Sequence, residues 1–408
     1  MNILVVNAGS SSLKYQLIDS DTGIASAKGI CERIGAQGSL IEHKNLVKGT
    51  KTKFESPMND HADAMKLVIK YLTDKEVGVI ESMDEIQAIG HRIVHGGSFF
   101  SKSILLNDDV LSKLELCKDF APLHTVAHLM GIKGCLETMA DKPQVLVFDT
   151  SFHQTMAPEA YMYARPYKYY SEYGIRRYGF HGTSHRYVSA EMAKLLGKPI
   201  EETKIVTCHI GNGSSITAVK GGKVMDTSMG FTPLAGVEMG TRCGDIDPAI
   251  VTLIMEKDNM TAAQVNNMMN KESGFLGITG FSSDSRDLED AIAAGPSDPN
   301  YERAELAVNI LKHQLKKYIG SYAAIMNGLD AVVFTAGIGE NNPHLRELVC
   351  EDMEFFGIKI DKVANEKAFR VSDPRRISTE DSKVAVYMIP TNEELVIAQD
   401  TAAIVSAK

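Results

Sequence analysis

Short apolar segments alternate along the chain with longer amphipathic ones. The apolar, β-branched segments predict buried strands over Met1–Val6, Ile86–Val94, Gln144–Phe148, Lys204–Ile210, Ala331–Phe334 and Val384–Ile389. Apolar residues at helical spacing predict helices over His61–Leu72, over Ser184–Leu196 with Ser184 as the N-cap, and over about Tyr301–Met326. Strands and helices mixed in this order indicate an α/β protein.

The first 18 residues, MNILVVNAGSSSLKYQLI, predict two strands joined by a turn of small residues. The turn offers backbone N–H groups and hydroxyls, and Lys14 shares a strand face with Ser12 and Gln16. Such a hairpin can hold the phosphates of a nucleotide, although the chain has neither the P-loop motif nor, here, the dinucleotide-binding motif. An ordinary surface hairpin explains this segment equally well.

The stretch VTCHIGNGSSITAV, at residues 206–219, repeats the plan of the opening hairpin. Gly and Ser populate most turns, so coincidence is one explanation. A duplicated domain is the better one. We therefore expect two similar lobes, residues 1–150 plus 390–408 and residues 151–389, each with a phosphate-binding hairpin.

A third glycine turn, in VVFTAGIGENNPHLREL, leads from a strand through Gly337 and Gly339 into a helix that Asn342 caps and Pro343 begins. The free N–H groups and the positive dipole end of such a helix favour a nucleotide's phosphate and ribose. A plain capped turn is the alternative for this segment alone. Glu393 begins the predicted last helix, where a glutamate also stabilises the helix dipole.

Four polar residues stand where a substrate could bind. Asp149 follows the strand Gln144–Phe148, and open α/β sheets bind ligands at the carboxyl ends of their strands. Arg92 and Arg242 lie near glycines, which leaves room for a guanidinium to contact a carboxylate or a phosphate. His181 precedes a predicted helix and could donate a hydrogen bond to a phosphoryl oxygen. The ordinary alternatives are a capping aspartate, solvated arginines and a core histidine.

Composition argues against several other classes of protein. The chain has 408 residues, of which 44% are hydrophobic and 23% charged, as in a globular protein with a large core. Its formal net charge is −9 and its Lys and Arg residues are scattered, so we expect no nucleic-acid partner. No apolar stretch approaches the ~18 residues that a membrane span needs, so we expect no membrane partner.

Cysteine and histidine spacing indicates neither disulfides nor zinc. The six cysteines lie far apart without a C-x-x-C pair, which suits a reducing cytosol, and we expect a cytoplasmic protein. Two histidine pairs, His124 with His128 and His91 with His95, have the spacing of zinc ligands on a helix. Neither pair has the glutamate of the H-E-x-x-H motif, so we do not expect zinc.

Eight segments occur in order across almost the whole chain: NAGSSSLKYQ, GHRIVHGG, VFDTSFHQTM, RRYGFHGTSH, HIGNGSS, GFTPLAGVEMGTRCGDIDP, TAGIGENN and IPTNEEL. Together they resemble the acetate kinase family. The resemblance implies two similar, duplicated α/β domains of the ribonuclease H-like type of actin and hexokinase, around a nucleotide cleft, in a homodimer. It also implies reversible, Mg²⁺-dependent transfer of the γ-phosphoryl group of ATP to acetate, giving acetyl phosphate and ADP, with Mn²⁺ as a substitute metal.

The resemblance implies roles for the candidate residues. Asp149, His181 and Arg242 would be catalytic, and Arg92 would bind the carboxylate of acetate. The methyl group would lie in a small apolar pocket that consists of Val94, Leu123, Phe180 and Pro233.

The same resemblance implies a metal site and a nucleotide site. Asn7 and Glu393 would help to place Mg²⁺, which needs few protein ligands because it keeps several waters, and Lys14 would contact nucleotide phosphate. The ATP site would be lined by His209, Ile210, Gly211, Asn212, Gly213, Asp284, Ser285, Arg286, Gly337, Ile338, Gly339, Glu340 and Asn341.

The chemistry of the acceptor bears on the role of Asp149. A carboxylate is ionised near neutral pH and has no proton to lose, so a general base is unnecessary. We predict that Asp149 mainly organises Mg²⁺-bound water or a neighbouring cation. Arg242 and His181 would stabilise the charge that spreads over the transferred group.

Three alternatives stay open at this point. A propionate or butyrate kinase would differ by small packing changes, because one methylene in an apolar pocket contributes only ~1–3 kcal/mol. An actin-like or chaperone-like ATPase would share the nucleotide cleft but would have no use for Arg92. A nucleotide-binding sensor would not need Asp149, His181 and Arg242 together.

Overall fold

The computed structural model describes residues 1–407, and Lys408 and the side chain of Leu123 lie outside the described part. The strands are β1 (Asn2–Ala8), β2 (Ser12–Asp19), β3 (Ala25–Glu32), β4 (Leu40–Asn45), β5 (Thr50–Glu55), β6 (Ala88–Ile93), β7 (Ile104–Leu105), β8 (Gln144–Phe148), β9 (Lys204–Ile210), β10 (Ser214–Lys220), β11 (Lys223–Thr227), β12 (Ala331–Thr335), β13 (Arg375–Arg376) and β14 (Ala385–Met388).

The helices are α1 (His61–Leu72), α2 (Asp108–Leu116), α3 (Pro122–Thr138), α4 (Pro158–Tyr161), α5 (Lys168–Ser171), α6 (Gly182–Leu195), α7 (Ala249–Lys257), α8 (Ala262–Lys271), α9 (Gly274–Thr279), α10 (Ser285–Ala294), α11 (Tyr301–Met326), α12 (Ala336–Asn341), α13 (Pro343–Cys350), α14 (Lys362–Lys367) and α15 (Glu393–Ser406). Short 3₁₀ helices cover Met83–Glu85, Cys117–Asp119, Ser151–Thr155, Ile200–Glu202 and Glu354–Phe356. Within the described residues, no helix has both the length and the apolar character needed to cross a membrane.

The sequence predictions for the long elements are confirmed. Helices α1 and α11 and strands β8 and β9 have the predicted ends, and the other predicted strands shift by at most two residues at either end. Helix α11 stops where expected, because Asn327 adopts the left-handed conformation (φ 55°) that ends many helices.

The predicted start of α6 is wrong. The helix begins at Gly182 and its N-cap is His181, whose backbone is left-handed (φ 57°, ψ 27°). Ser184 lies inside the first turn, where its hydroxyl hydrogen-bonds Nδ1 of His209 at 2.8 Å instead of capping the helix. The shift places His181 at the entrance of the helix.

The chain divides into two compact units, unit 1 (Met1–Phe152 with Asn392–Lys408) and unit 2 (His153–Thr391). The sheet of unit 1 has the order β5-β4-β3-β2-β1-β6-β8-β7. Strands β1 to β5 pair with one another in antiparallel fashion, whereas β6 is parallel to both β1 and β8. Neighbouring residues of β1 point to opposite faces, since Leu4 shares a buried cluster with Met65 of α1 and Val5 shares one with Ile397 of α15.

The sheet of unit 2 has the order β11-β10-β9-β12-β14-β13. Its central strand β9 is also buried on both faces, since Val206 shares a cluster with Leu311 of α11 and Ile205 shares one with Val188 of α6. Strand β12 is parallel to β9 and to β14, as β6 is parallel to β1 and β8. The predicted mixed α/β fold with two similarly connected sheets is therefore confirmed.

The two hairpins that suggested duplication differ in one respect. Ala8 pairs with Leu13 in the first hairpin, whereas Ile210 pairs with Ser214 in the second. The turn of the first hairpin is therefore one residue longer. The repeat holds for the order and direction of the strands rather than for the turns themselves.

Candidate active site

An ion-paired arginine lies at one edge of the unit 1 sheet. Arg92 is on β6, and Asp149 directly follows the neighbouring parallel strand β8. Nη2 of Arg92 donates to Oδ2 of Asp149 at 2.5 Å, and its Nε lies 3.5 Å from Oε2 of Glu393, the first residue of α15. The carboxyl ends of two strands and the N-terminus of a helix thus bring these side chains together.

The opposite charges of Arg92 and its two acidic neighbours stabilise one another. Asp149 is only 1% exposed, and its carboxylate is compensated by the guanidinium of Arg92. Burial lowers the pKa of Arg92, but Asp149 and Glu393 outweigh burial and raise the pKa above its ordinary value. Arg92 is therefore a permanent cation with two acidic neighbours.

Two of the histidines with zinc-like spacing have other partners. Nε2 of His128 accepts the Val94 N–H at 3.1 Å, and burial together with Arg92 lowers the pKa of His128 to about 3. Nε2 of His91 hydrogen-bonds Oε1 of Gln144 at 2.8 Å. Among the residues described, no group of three or more His, Cys, Asp or Glu side chains is arranged to hold a metal.

The first hairpin presents Asn7 and Lys14 side by side, since they pair across β1 and β2. The turn is closed by a hydrogen bond from the Gly9 N–H to the Ser12 carbonyl at 2.7 Å, and Nε2 of His61 bonds the Gly9 carbonyl at 2.8 Å. Asn7 and Lys14 line a groove of about 320 Å³.

Two residues of the predicted methyl pocket are buried, Val94 in unit 1 and Phe180 in unit 2. The side chain of Leu123 lies outside the described residues.

In unit 2, His181 and Arg242 converge on Gly213. A Cβ atom added to Gly213 would lie 3.3 Å from Nη1 of Arg242 and 3.6 Å from Nε2 of His181. Arg242 donates to the carbonyl of Pro233 at 2.9 Å, which fixes its guanidinium. Burial lowers the pKa of Arg242, and no carboxylate of a described residue raises it. This arrangement offers a cation and an imidazole to an anion beside the turn.

A buried polar network holds His181 in place. Its Nδ1 hydrogen-bonds Oγ of Ser215 at 2.8 Å, and the same hydroxyl contacts Nε2 of His185 at 2.7 Å. Nδ1 of His185 reaches Oγ1 of Thr207 at 2.7 Å. Burial lowers the pKa of His185 well below its ordinary value, so its imidazole stays neutral. The ring of His181 also stacks on His209, with centroids 4.1 Å apart.

The segment predicted as a third glycine turn is instead the short helix α12, which contains Gly337 and Gly339. It lines a cleft of about 690 Å³ in unit 2, which we call the α12 cleft. The cleft brings together eight of the residues predicted for the nucleotide, namely Gly211, Asn212, Asp284, Ser285, Arg286, Gly337, Ile338 and Asn341. It is also lined by residues that sequence analysis missed, namely Glu289, Asp290, Asn342, Phe369 and Arg370.

The other predicted nucleotide residues do not line this cleft. Ile210 and Gly339 face the interior, where Gly339 packs against Phe334. His209 and Gly213 lie beside His181 instead. Oε1 of Glu340 accepts hydrogen bonds from the backbone N–H groups of Ala336 at 2.8 Å and Thr391 at 3.0 Å. This oxygen therefore contacts the protein backbone and not the cleft.

Asn342 joins two sides of the α12 cleft. Its Oδ1 accepts the Leu345 N–H at 2.8 Å and caps α13, as the sequence predicts. Its Nδ2 donates to Oε1 of Glu289 at 2.7 Å. Burial, reinforced by Asp290 and Asp284, raises the pKa of Glu289 to about 7.

A family model described as the acetokinase family matches residues 2–399. The chain belongs to the acetokinase family. It is 55% identical over 402 residues to an acetate kinase of Thermoanaerobacter pseudethanolicus, covering 98% of each chain. It is 56% identical over 401 residues to an acetate kinase of Fusobacterium nucleatum, covering 98% of this chain and 99% of the relative. This acetokinase chain is accordingly a kinase.

Solved structures agree with this family assignment. The acetokinase chain has a TM-score of 0.94 and 46% identity to Porphyromonas gingivalis acetate kinase, and each chain is covered to 99%. Its TM-score to a propionate kinase from Francisella tularensis is 0.90, with 40% identity and 99% coverage of each chain.

Sequence analysis missed two groups of residues in the acetokinase chain. His185 and Ser215 lie within the motifs RRYGFHGTSH and HIGNGSS, and the four-residue spacing of His181 and His185 was a usable signal. Phe369 and Arg370 carry no such signal, because they reach the α12 cleft from a distant loop.

Proposed function

We propose that this chain transfers the γ-phosphoryl group of ATP to acetate, reversibly, giving acetyl phosphate and ADP. The observation that carries the proposal is the convergence of Arg242 and His181 on Gly213. Phosphoryl transfer spreads negative charge over three equatorial oxygens, and fixed donors and cations around them supply most of the catalysis. Names of full-length relatives support acetate as the acceptor.

Arg92 is the proposed site of the acetate carboxylate. Its guanidinium is planar, charged and anchored by Asp149, so it can present its remaining donors to a second carboxylate. That contact offsets the repulsion between two anions that must approach to ~3 Å. Val94, Leu123, Phe180 and Pro233 form the proposed surroundings of the methyl group.

Asp149 is proposed to act through Arg92 rather than as a base. The 2.5 Å contact with Nη2 supports the prediction that this carboxylate organises a neighbouring cation. A carboxylate acceptor brings no proton to remove near neutral pH. Asp149 thus orients the Arg92 guanidinium, which binds the acetate carboxylate, and stabilises its positive charge.

Asn7 and Glu393 are the proposed Mg²⁺ ligands, and Mn²⁺ suits the same donors. An amide oxygen and a carboxylate are the hard oxygen ligands that Mg²⁺ prefers, and both residues are partly exposed, which leaves room for waters. When bound, the metal neutralises charge on the nucleotide phosphates. Lys14, next to Asn7 across the hairpin, is proposed to contact a phosphate.

The proposed ATP site uses the predicted residues of the turn at Gly211–Gly213, the N-terminus of α10 and helix α12. Backbone N–H groups at helix N-termini and tight turns favour phosphate oxygens. Asp284 caps α10, since its Oδ1 accepts the Arg286 N–H at 3.0 Å, and its Oδ2 accepts from Nε of the Arg286 side chain at 3.2 Å.

We also propose a homodimer. None of residues 249–257, which form α7, is buried, although the helix is rich in Ile, Val and Leu. Ile250 and Leu253 are 40% and 52% exposed. The family resemblance implies a homodimer, and we propose that a second copy of this chain covers this exposed apolar face.

An acyl phosphate assay tests the function. Hydroxylamine traps acyl phosphates, so purified protein is incubated with ATP, Mg²⁺ and acetate, propionate or butyrate at several concentrations. We expect trapped product only when ATP, Mg²⁺ and an acid are all present, and the highest kcat/KM with acetate. A propionate preference would favour the second candidate, which the structural match to a propionate kinase supports. ATP hydrolysis that is independent of any acid would indicate an ATPase instead.

A further inference from the structure

We infer that Phe369 and Arg370 form a wall of the α12 cleft that receives the base of the nucleotide. The inference rests on the proposed function and adds residues from outside the family motifs. Both residues line the α12 cleft together with Arg286 and Ile338. They follow α14 in sequence and are remote from every glycine turn.

Phe369 and Arg370 have features of a binding surface. The ring of Phe369 is apolar yet 42% exposed, and the guanidinium carbon of Arg370 lies 4.8 Å from its centroid. Arg370 has a left-handed backbone (φ 53°), which costs conformational energy in any residue with a Cβ. Exposed aromatic surface and a strained backbone at the same cleft are typical of a site that holds a ligand.

A buried guanidinium fixes this wall relative to α12. Arg346 is fully buried, and its Nη1 donates to the carbonyls of Gly339 and Glu340 at 2.9 and 2.8 Å. Its Nη2 donates to the carbonyls of Asn365 and Ala368 at 3.0 and 2.9 Å. Ala368 is the residue before Phe369. One side chain therefore holds together the α12 turn and the start of the wall.

Polar groups of the α12 cleft suit a nucleoside at this end. The carboxyl groups of Asp284, Glu289 and Asp290 line the cleft beside the guanidinium groups of Arg286 and Arg370, and carboxyl oxygens can accept hydrogen bonds from ribose hydroxyls or an amino group of the base. The Phe369 ring and the Arg370 guanidinium offer flat faces on which a purine can stack. The ligand class is thus a purine nucleoside di- or triphosphate.

Calorimetric titration of ADP and of pyrophosphate into the full-length protein tests the inference. In Phe369→Ala we expect the dissociation constant of ADP to rise about 5- to 100-fold, the range given by loss of one base–aromatic stack. Pyrophosphate binding should stay within about two-fold, because it lacks a base. Phe355→Ala is the matched control, since Phe355 is 93% exposed in the same unit and does not line the α12 cleft.

Each outcome has a distinct meaning. Unchanged ADP binding in Phe369→Ala, or an equal loss in Phe355→Ala, overturns the proposed wall. Equal weakening of ADP and pyrophosphate also overturns it, because the ring would then act on the phosphates. Wild-type protein that binds ADP but yields no trapped acyl phosphate would contradict the proposed function and leave the nucleoside wall standing.

Discussion

At the scale of single residues, Gly213 decides how two functional groups meet. Its missing side chain leaves the space that separates Arg242 from His181. Part of this site follows from sequence, because Gly213, His181 and Arg242 belong to motifs with recognisable chemistry. Their mutual distance does not, since the three motifs are far apart in the chain and meet only after the sheet of unit 2 has formed.

Gly213→Ala should therefore lower kcat about ten-fold with little loss of stability. The added methyl would lie 3.3 Å from Nη1 of Arg242 and move that group by a few tenths of an ångström, and small displacements of catalytic groups are costly. Gly320→Ala is the control. Gly320 lies within α11, and an added Cβ would make an ordinary 3.4 Å contact with the side chain of Phe356. Steady-state kinetics and thermal unfolding of both variants provide the comparison, and equal kcat values would contradict the prediction.

Asp149→Asn should reduce kcat at least about 100-fold and change the Mg²⁺ dependence of the rate. The variant removes the negative charge beside Arg92 while keeping the shape of the side chain. Rates are measured against Mg²⁺ concentration and pH. A loss explained wholly by one missing ionisation in the pH–rate profile, with unchanged metal dependence, would instead favour a general base.

Glu238 should make stability depend on pH. The residue is 3% exposed, Oε1 of its carboxyl group has no hydrogen-bond partner among the described residues, and burial raises its pKa from 4.5 to about 8. Between these pH values the folded protein holds a proton that the unfolded chain has lost, so the free energy of unfolding falls as pH rises through this range.

Urea unfolding at pH 6 and pH 9 checks this prediction. In wild type we expect the free energy of unfolding to be a few kcal/mol lower at pH 9 than at pH 6. Glu238→Gln should lack this difference, because an amide does not ionise. Glu302→Gln, at an exposed position on α11, is the control. A wild-type pH dependence that persists in Glu238→Gln would show that other groups cause it.

At the scale of elements, strongly periodic segments were predictable and special backbone geometry was not. The ends of α1 and α11 follow from apolar spacing and capping residues. The start of α6 was missed because His181 adopts a left-handed conformation that its residue type does not announce. Strands β3 to β5 were also missed, since one of their faces is largely polar and they lack the apolar runs of β1 or β9.

Arg346→Lys should weaken the link between α12 and the segment before Phe369. An ammonium has three donors on one atom and cannot reach all the acceptors that the guanidinium fork contacts. We expect the free energy of unfolding to fall by about 2–4 kcal/mol, at ~1 kcal/mol for each hydrogen bond lost plus unsatisfied carbonyls. Arg375→Lys, at an exposed position on β13, is the control in urea unfolding, and equal losses would contradict the link.

At the scale of the whole molecule, two similarly connected sheets could be expected from one repeated hairpin. The strand order around β1 and around β9 is the same, even though the turns differ by one residue. Contacts that depend on long loops, such as the approach of Phe369 to the α12 cleft, could not be expected, because no periodic pattern encodes where a loop ends.

Leu253→Asp should convert the proposed dimer into monomers. A carboxylate on the exposed apolar face of α7 would have to be desolvated in the interface. Leu306→Asp is a closely matched control, since Leu306 on α11 is also 52% exposed. Light scattering after size-exclusion chromatography gives the mass of each variant. A Leu253→Asp dimer, or a wild-type monomer, would contradict this use of α7.

The return of helix α15 to unit 1 has a consequence for synthesis on the ribosome. Ile397 and Ala398 complete the buried cluster that contains Ile3 and Val5, and Gly90 has no room for a Cβ because Ile397 lies 2.6 Å from where it would be. A nascent chain that stops before α15 leaves that face of the first sheet in water. Unit 2 can close during translation, whereas unit 1 must wait until α15 has emerged.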